Sequence, residues 1–209
     1  MGLNQLELQD QIAACRICRD TPRYGGKLPH EPRPVCVVSP TARILIAGQA
    51  PGTRVHATGI PFNDPSGDRL REWMDIDRDT FYDPERIAIV PMGFCFPGLD
   101  AKGGDLPPRR ECRELWHQRV MQTLGDVRLK LVIGQYAHAY HLGALRQRTL
   151  TETVADWRRI RGEGEGPAVY ALPHPSWRNN AWLKRNPWFE RDLLPELRAA
   201  IRACLDPSH

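Results

Sequence analysis

Four short apolar runs constrain this chain more than any other feature. They lie at 43–47 (RILIA), 87–90 (IAIV), 129–133 (LKLVI) and 168–172 (AVYAL), and glycine or proline stands close to them. Each reads as a β-strand. Between and after them come helix-like stretches at 68–74, 111–124 and 136–142, with an amphipathic pattern over 188–205. Strands alternating with helices predict an α/β fold: a three-layer α/β/α sandwich around a central, mainly parallel four-stranded sheet covered on both faces.

The opening stretch 3–19 reads as helix, and the proline-rich 24–40 as an extended arm wrapping the core. The segment 162–166 (GEGEG) reads as a surface loop by composition. At 209 residues, with no internal repeat and no flexible linker, the expectation is one domain over 1–209, in which 1–40 form the helix and arm. Apolar runs of a few residues fall far short of the roughly 18 needed to span a bilayer, so no membrane span is expected. Met1 to Ala14 has no basic flank followed by an apolar stretch, which points to the cytoplasm and to reduced thiols. A net charge of +4 is compatible with a nucleic-acid partner without demanding one.

In open parallel sheets, ligands bind beyond the carboxyl ends of the strands. Those ends carry Gly48-Gln49-Ala50-Pro51-Gly52, Pro91-Met92-Gly93, Gly134-Gln135 and Pro173-His174-Pro175-Ser176. Polar groups and exposed backbone are thus expected to converge on one crevice. Ordinary turn chemistry explains any one of these segments alone.

Six cysteines in a chain expected to be cytosolic argue for metal ligation or redox chemistry rather than a disulfide framework. Cys15 and Cys18 are separated by two residues; after 76 more comes Cys95, and after a further 16 comes Cys112. Four thiolates can hold an iron-sulfur cluster, and zinc accepts the same ligands. Unconnected thiols are the plain alternative, whereas a thioredoxin-like pair fits poorly because no strand precedes Cys15. Cys36 and Cys204 have no evident partner and read as packing residues.

Taken together these segments resemble a known family. GQAPGTRVHATGIPFNDPSGDRL (48–70) is similar to the first motif of the uracil-DNA glycosylase superfamily in its iron-sulfur branches. CFPGLDAKGGDLPPRREC (95–112) resembles their cluster-binding loop, LVIGQYAHAYHLG (131–143) their strand-turn-helix segment, and HPSWRN (174–179) their second catalytic motif. The resemblance implies a 4Fe-4S cluster on Cys15, Cys18, Cys95 and Cys112. It further implies hydrolysis of the N-glycosidic bond of uracil in single- or double-stranded DNA, leaving an abasic site, by an enzyme expected to be a monomer. A base in a duplex must be rotated out of the stack before such chemistry. Breaking its bond to the sugar develops positive charge on the sugar and negative charge on the leaving base.

In that light His174 is the candidate donor to the leaving base and Phe62 the platform on which the base stacks. The chain also departs from its relatives. Neither carboxylate usual after the first glycine is present, Gln49 and Ala50 standing there, so Asp64 in Phe62-Asn63-Asp64-Pro65-Ser66-Gly67 becomes the candidate for orienting water or stabilising the sugar cation. Pro91 replaces the asparagine that normally reads the uracil edge, which leaves Gln49, the amides near Ala50 and Gly93, or Asn179 for that task. Gly52, Ser66, Ser176, Arg178 and Lys184 are candidate DNA contacts. The missing groups also motivate a second reading, a non-catalytic nucleic-acid-binding or iron-sulfur redox-sensing descendant of the same fold.

Overall fold

A computed structural model of the protein describes residues 5–162 and 166–206. All four apolar runs are strands: Ile44–Ala47 (β1), Ile87–Ile89 (β2), Leu129–Ile133 (β3) and Ala168–Leu172 (β4). They form one sheet in the order β2-β1-β3-β4, with every neighbouring pair parallel. Parallel neighbours require crossover connections, and helices occupy each of them.

The two-residue period of a strand decides what each face meets. Ile44, Ile46, Ile87, Ile89, Leu129, Leu131, Ile133, Tyr170 and Leu172 join one buried cluster. There they meet Leu70, Trp73 and Met74 of helix Pro65–Met74 and Leu197 and Ile201 of helix Leu194–Leu205. The alternate residues face the other way. Leu45, Ala88 and Val90 pack with Leu8 and Ile12 of helix Gln5–Ala13 and with Trp116 and Val120, while Ala47, Val132 and Ala171 pack with Ala137 of helix Gly134–His141. Both faces of the sheet are therefore covered by helices. Each fully buried aliphatic side chain, such as Ile46 or Leu131, contributes about 1.5–3 kcal/mol.

The proline-rich arm runs beside β2. Val37 and Ile89 exchange both backbone hydrogen bonds at 2.8 Å, and Val35 N–H donates to Phe94 O at 2.7 Å. An otherwise open sheet edge is thereby closed by a segment whose prolines discourage further pairing.

Three expectations change in detail. The helix expected over 3–19 is two, Gln5–Ala13 and Ile17–Asp20, because the chain turns at Ala14-Cys15-Arg16. Arg16 and Arg19 then reach Glu31 and the Leu28 carbonyl of the arm. The helix expected from 68 begins at Pro65, since Asp64 caps it and a proline is favourable in the first turn, where its missing N–H leaves no bond unmade. In the 188–205 segment a wide π turn, Phe189–Leu193, precedes helix Leu194–Leu205, whose first turn holds Pro195. A proline there cannot donate back to the preceding turn. Most of the GEGEG loop, 163–165, lies outside the described residues. Among those described, no helix is long and apolar enough to cross a membrane.

Two buried histidines tie the strand ends together. His138 Nε2 lies 3.0 Å from both Val132 O and Leu172 O, spanning the ends of β3 and β4, and His117 Nε2 lies 3.0 Å from Pro91 O just past β2. In both rings Nε2 must carry the proton to donate. Burial pushes His117, His138 and neighbouring His141 down to about 4, and lowers His56 and His174 as well.

The sign of the resulting pH dependence follows. As pH falls through about 6.5 the unfolded chain takes up protons that the folded chain refuses until about pH 4, so unfolding becomes easier across that window. Urea midpoints should fall steadily between about pH 6.5 and about pH 4. His138→Ala should lose about 2–4 kcal/mol at neutral pH and show a shallower acid fall, measured by the same titration.

Candidate active site

The carboxyl ends of β1, β2 and β4 open onto one cleft of about 1500 Å³, counting its mouth. Its walls are built locally, beginning at Phe62. This residue sits at φ 52°, a left-handed conformation that costs a side-chain-bearing residue on the order of 1–3 kcal/mol and persists only where its surroundings hold it. They do so from several sides. The Phe62 ring meets Phe81 edge-on with centroids 6.0 Å apart, and Tyr82 Oη donates to Pro61 O at 2.9 Å. A Cβ on Gly67 would lie 1.7 Å from Phe62 O, so only glycine lets the following helix close against this turn. A Cβ on Gly48 would lie 3.4 Å from the Phe62 ring, which rests against the backbone leaving β1.

Asp64 caps the helix that follows. Its Oδ1 accepts from Gly67 N–H at 2.9 Å, which fixes the carboxylate at the head of Pro65–Met74 and leaves Oδ2 outside that bond. Across the cleft, Pro173-His174-Pro175-Ser176 leaves β4. Asn179 Nδ2 donates to His174 O at 2.7 Å, Ser176 Oγ accepts from Arg178 N–H at 3.1 Å, and Arg69 Nη1 donates to Ser176 O at 3.1 Å. The His174 loop is thus fastened to the helix that Asp64 caps. Burial lowers the His174 pKa, while Asp64 and Asp105 pull the other way.

Most of the residues singled out in the sequence meet here. Phe62, Asp64 and His174 line the cleft, as do Gln49, Ala50 and Asn179. So do Gly52, Ser66, Ser176 and Arg178. Two stand apart. Gly93 lies outside the lining, its N–H donating to Gln49 O at 2.9 Å and its α-carbon covered by Pro108, so that amide holds the loop together rather than facing the cleft. Lys184 lines a neighbouring groove together with Arg69 and Arg198.

The cleft also holds residues that the sequence did not single out. Asp105, from the loop between Cys95 and Cys112, forms part of the wall, and partial burial raises its pKa. Trp177 at the mouth is 70% exposed, the most exposed large apolar side chain described, with the Arg178 guanidinium 5.3 Å from its ring centroid. An aromatic residue inside the HPSWRN motif was a signal available for Trp177. For Asp105 nothing in the spacing distinguished it from the turn residues around it.

On the side of the sheet where helix Gln5–Ala13 packs, Cys15, Cys18, Cys95 and Cys112 line one small, tight pocket, walled by Ile12, Pro32, Pro34, Phe94 and Trp116. Phe94 N–H donates to Cys112 Sγ at 3.4 Å. Among the described residues no three His, Cys, Asp or Glu side chains converge closely enough to hold a single metal ion. One zinc ion would need every sulfur about 2.3 Å from one point. Cys36 and Cys204 lie outside the cavity lining. The wall is anchored by Glu111, whose Oε1 accepts from Arg109 Nη2 at 3.0 Å and from the Arg23 and Tyr24 N–H groups at 3.1 and 3.2 Å.

Residues 36–198 match the family model described as the Uracil DNA glycosylase superfamily. That match takes in the whole sheet, every cleft segment from β1 to HPSWRN, and the loop carrying Cys95 and Cys112. It brings with it a glycosylase-type hydrolase function in DNA repair and DNA as the substrate. On this match and the fold that accompanies it, the chain belongs to the uracil DNA glycosylase superfamily.

Proposed function

We propose that the protein is a monofunctional uracil-DNA glycosylase, hydrolysing the N-glycosidic bond of uracil in DNA and leaving an abasic site. One observation carries this reading: an aromatic ring and a carboxylate from one turn, Phe62 and Asp64, and an imidazole from a distant strand end, His174, line the same cleft. A flipped pyrimidine stacks on Phe62, whose ring is already held by Phe81 and the Gly48 backbone. As the bond to the sugar lengthens, negative charge gathers on the base, and the His174 N–H donates to a carbonyl oxygen of that base. A neutral donor suits the task because burial disfavours imidazolium. Asp64 faces the cationic sugar and its water. Gln49, the backbone at Ala50 and Asn179 read the base edge, with Asn179 also holding the His174 loop.

Gly52, Ser66 and Ser176 allow backbone and phosphate to approach closely. Arg178 and Trp177 stand at the mouth, offering a cation for a flanking phosphate and a face for an unstacked base. Lys184 continues the track into the groove shared with Arg69. A 4Fe-4S cluster on Cys15, Cys18, Cys95 and Cys112 completes the reading. When bound it supplies a four-point cross-link between the N-terminal helices and the loop that forms a cleft wall. Hydrolysis itself transfers no electrons.

Labelled strands carrying uracil, hypoxanthine or a thymine mispair, incubated and then treated with alkali, test the activity; scission at uracil is expected. Under single-turnover conditions His174→Ala should slow release by about 10²–10³-fold. Asp64→Asn should slow it by about 10²-fold or more while leaving thermal stability nearly unchanged, because Asn caps a helix as well as Asp. No scission for any of the three bases would refute the assignment.

The cluster has its own test. Protein purified without oxygen should be brown and contain on the order of four irons and four sulfides per chain. Cys95→Ser or Cys112→Ser should lose the colour and lower the melting temperature. A colourless wild-type protein carrying zinc would point to the other metal.

A further inference from the structure

We propose that Asp105 is a second carboxylate of the reaction, the one that accepts the proton of the attacking water. This deepens the reading above and rests on it. Gln49 and Ala50 of the GQAPG segment, neither of them acidic, line the cleft. Asp105 approaches that segment from the opposite wall, its Oδ2 3.8 Å from where a Cβ on Gly52 would stand. A strand-end loop with no carboxylate of its own is thus met by one presented to it from another.

The presentation is firm. Asp100 accepts from Lys102 N–H and Gly104 N–H, both at 2.8 Å, and its own N–H donates to Gly104 O at 2.8 Å. Leu106 N–H donates to Gly98 O at 2.9 Å, and Leu99 pairs with Asp105 in an antiparallel bridge. This small hairpin, lying between two of the cavity cysteines, aims Asp105 into the cleft.

What it carries there is unspent. Among the described residues no donor hydrogen-bonds to the Asp105 carboxylate, whereas Asp64 has one oxygen committed to the Gly67 amide. Partial burial raises the Asp105 pKa, opposed by Arg178 and His174 and reinforced by Asp64 and Asp100, the ionisable groups that face it. A carboxylate in such a setting is a better base than an ordinary surface aspartate.

The labour then divides between the two acids. Water oxygen bonds to the sugar C1′ and its proton passes to Asp105. The C1′–N1 bond breaks, its electron pair leaves on the base, and the His174 N–H stabilises that anion. Asp64, held by its cap bond, faces the developing sugar cation. The proton on Asp105 then passes to solvent or to the released base.

Single-turnover release from uracil-, hypoxanthine- and mispaired-thymine strands should be measured for wild type, Asp105→Asn, Asp105→Glu and Asp64→Asn. Affinity for an abasic-analogue duplex should be measured alongside. Asp105→Asn is expected to slow release by about 10²-fold or more at neutral pH, with DNA affinity equal to or tighter than wild type. The wild-type rate should fall in acid as Asp105 takes up a proton, Asp105→Asn should lack that fall, and Asp105→Glu should recover part of the rate. Release by Asp105→Asn within about threefold of wild type would overturn the role of Asp105 while leaving the glycosylase reading intact, as would slowing matched by an equal loss of DNA affinity. A wild type inert on all three strands would overturn both.

Discussion

A parallel sheet buried on both faces leaves its polar chemistry very few places to go. Side chains along β1 to β4 alternate between two apolar layers, so charge and hydrogen-bonding capacity are confined to the strand ends and the loops that leave them. In this protein Gln49, Asp64, His174 and Asp105 share one cleft for that reason. The strand ends must themselves be held, because the last carbonyls of each strand run out of sheet partners. His138 reaches the Val132 and Leu172 carbonyls and His117 the Pro91 carbonyl, and burial lowers the pKa of both rings. Residues remote from the reacting atoms therefore set the spacing of those close to them.

The cleft is stiff around Phe62 and open at its mouth. Phe62 occupies a backbone conformation it would not choose alone, and Gly67, Tyr82 and Phe81 enforce it. Strain of this kind fixes the ring before any base arrives, which reduces the ordering cost of binding. At the mouth, Trp177 and Arg178 are free of such restraint and form a polar and aromatic rim. The N-terminal arm couples this architecture to the cysteine cavity. It closes the β2 edge through Val37, reaches Phe94 through Val35, and is joined to the helix bearing Cys112 through Glu111. Events at the four thiols are thus mechanically continuous with the loop that carries Asp105.

Much of this was legible in the residues themselves. Four short apolar runs bounded by glycine or proline read as strands, and the helical patterns between them point to parallel crossovers. Phe62, Asp64 and His174 stand in motifs whose glycines and prolines mark strand-end turns, and all three meet in the cleft. Gly93 was harder to read. Its amide looks free in the sequence, yet it is consumed by Gln49 O, a partner two loops away. Lys184 follows HPSWRN closely but turns into a neighbouring groove, because helix Asn180–Arg185 redirects the chain.

By itself the sequence determined the strands, their alternation with helices and the strand-end motifs, since each is written in local period or turn chemistry; that four distant cysteines meet at one pocket was decided by the tertiary structure. Tertiary structure alone decided which carboxylates share the cleft, which amides remain free and which histidines hold the strand ends. Those outcomes depend on distances between segments 40 or more residues apart, such as Asp64 and Asp105. No local pattern encodes a distance of that kind; it emerges only when both faces of the sheet are packed.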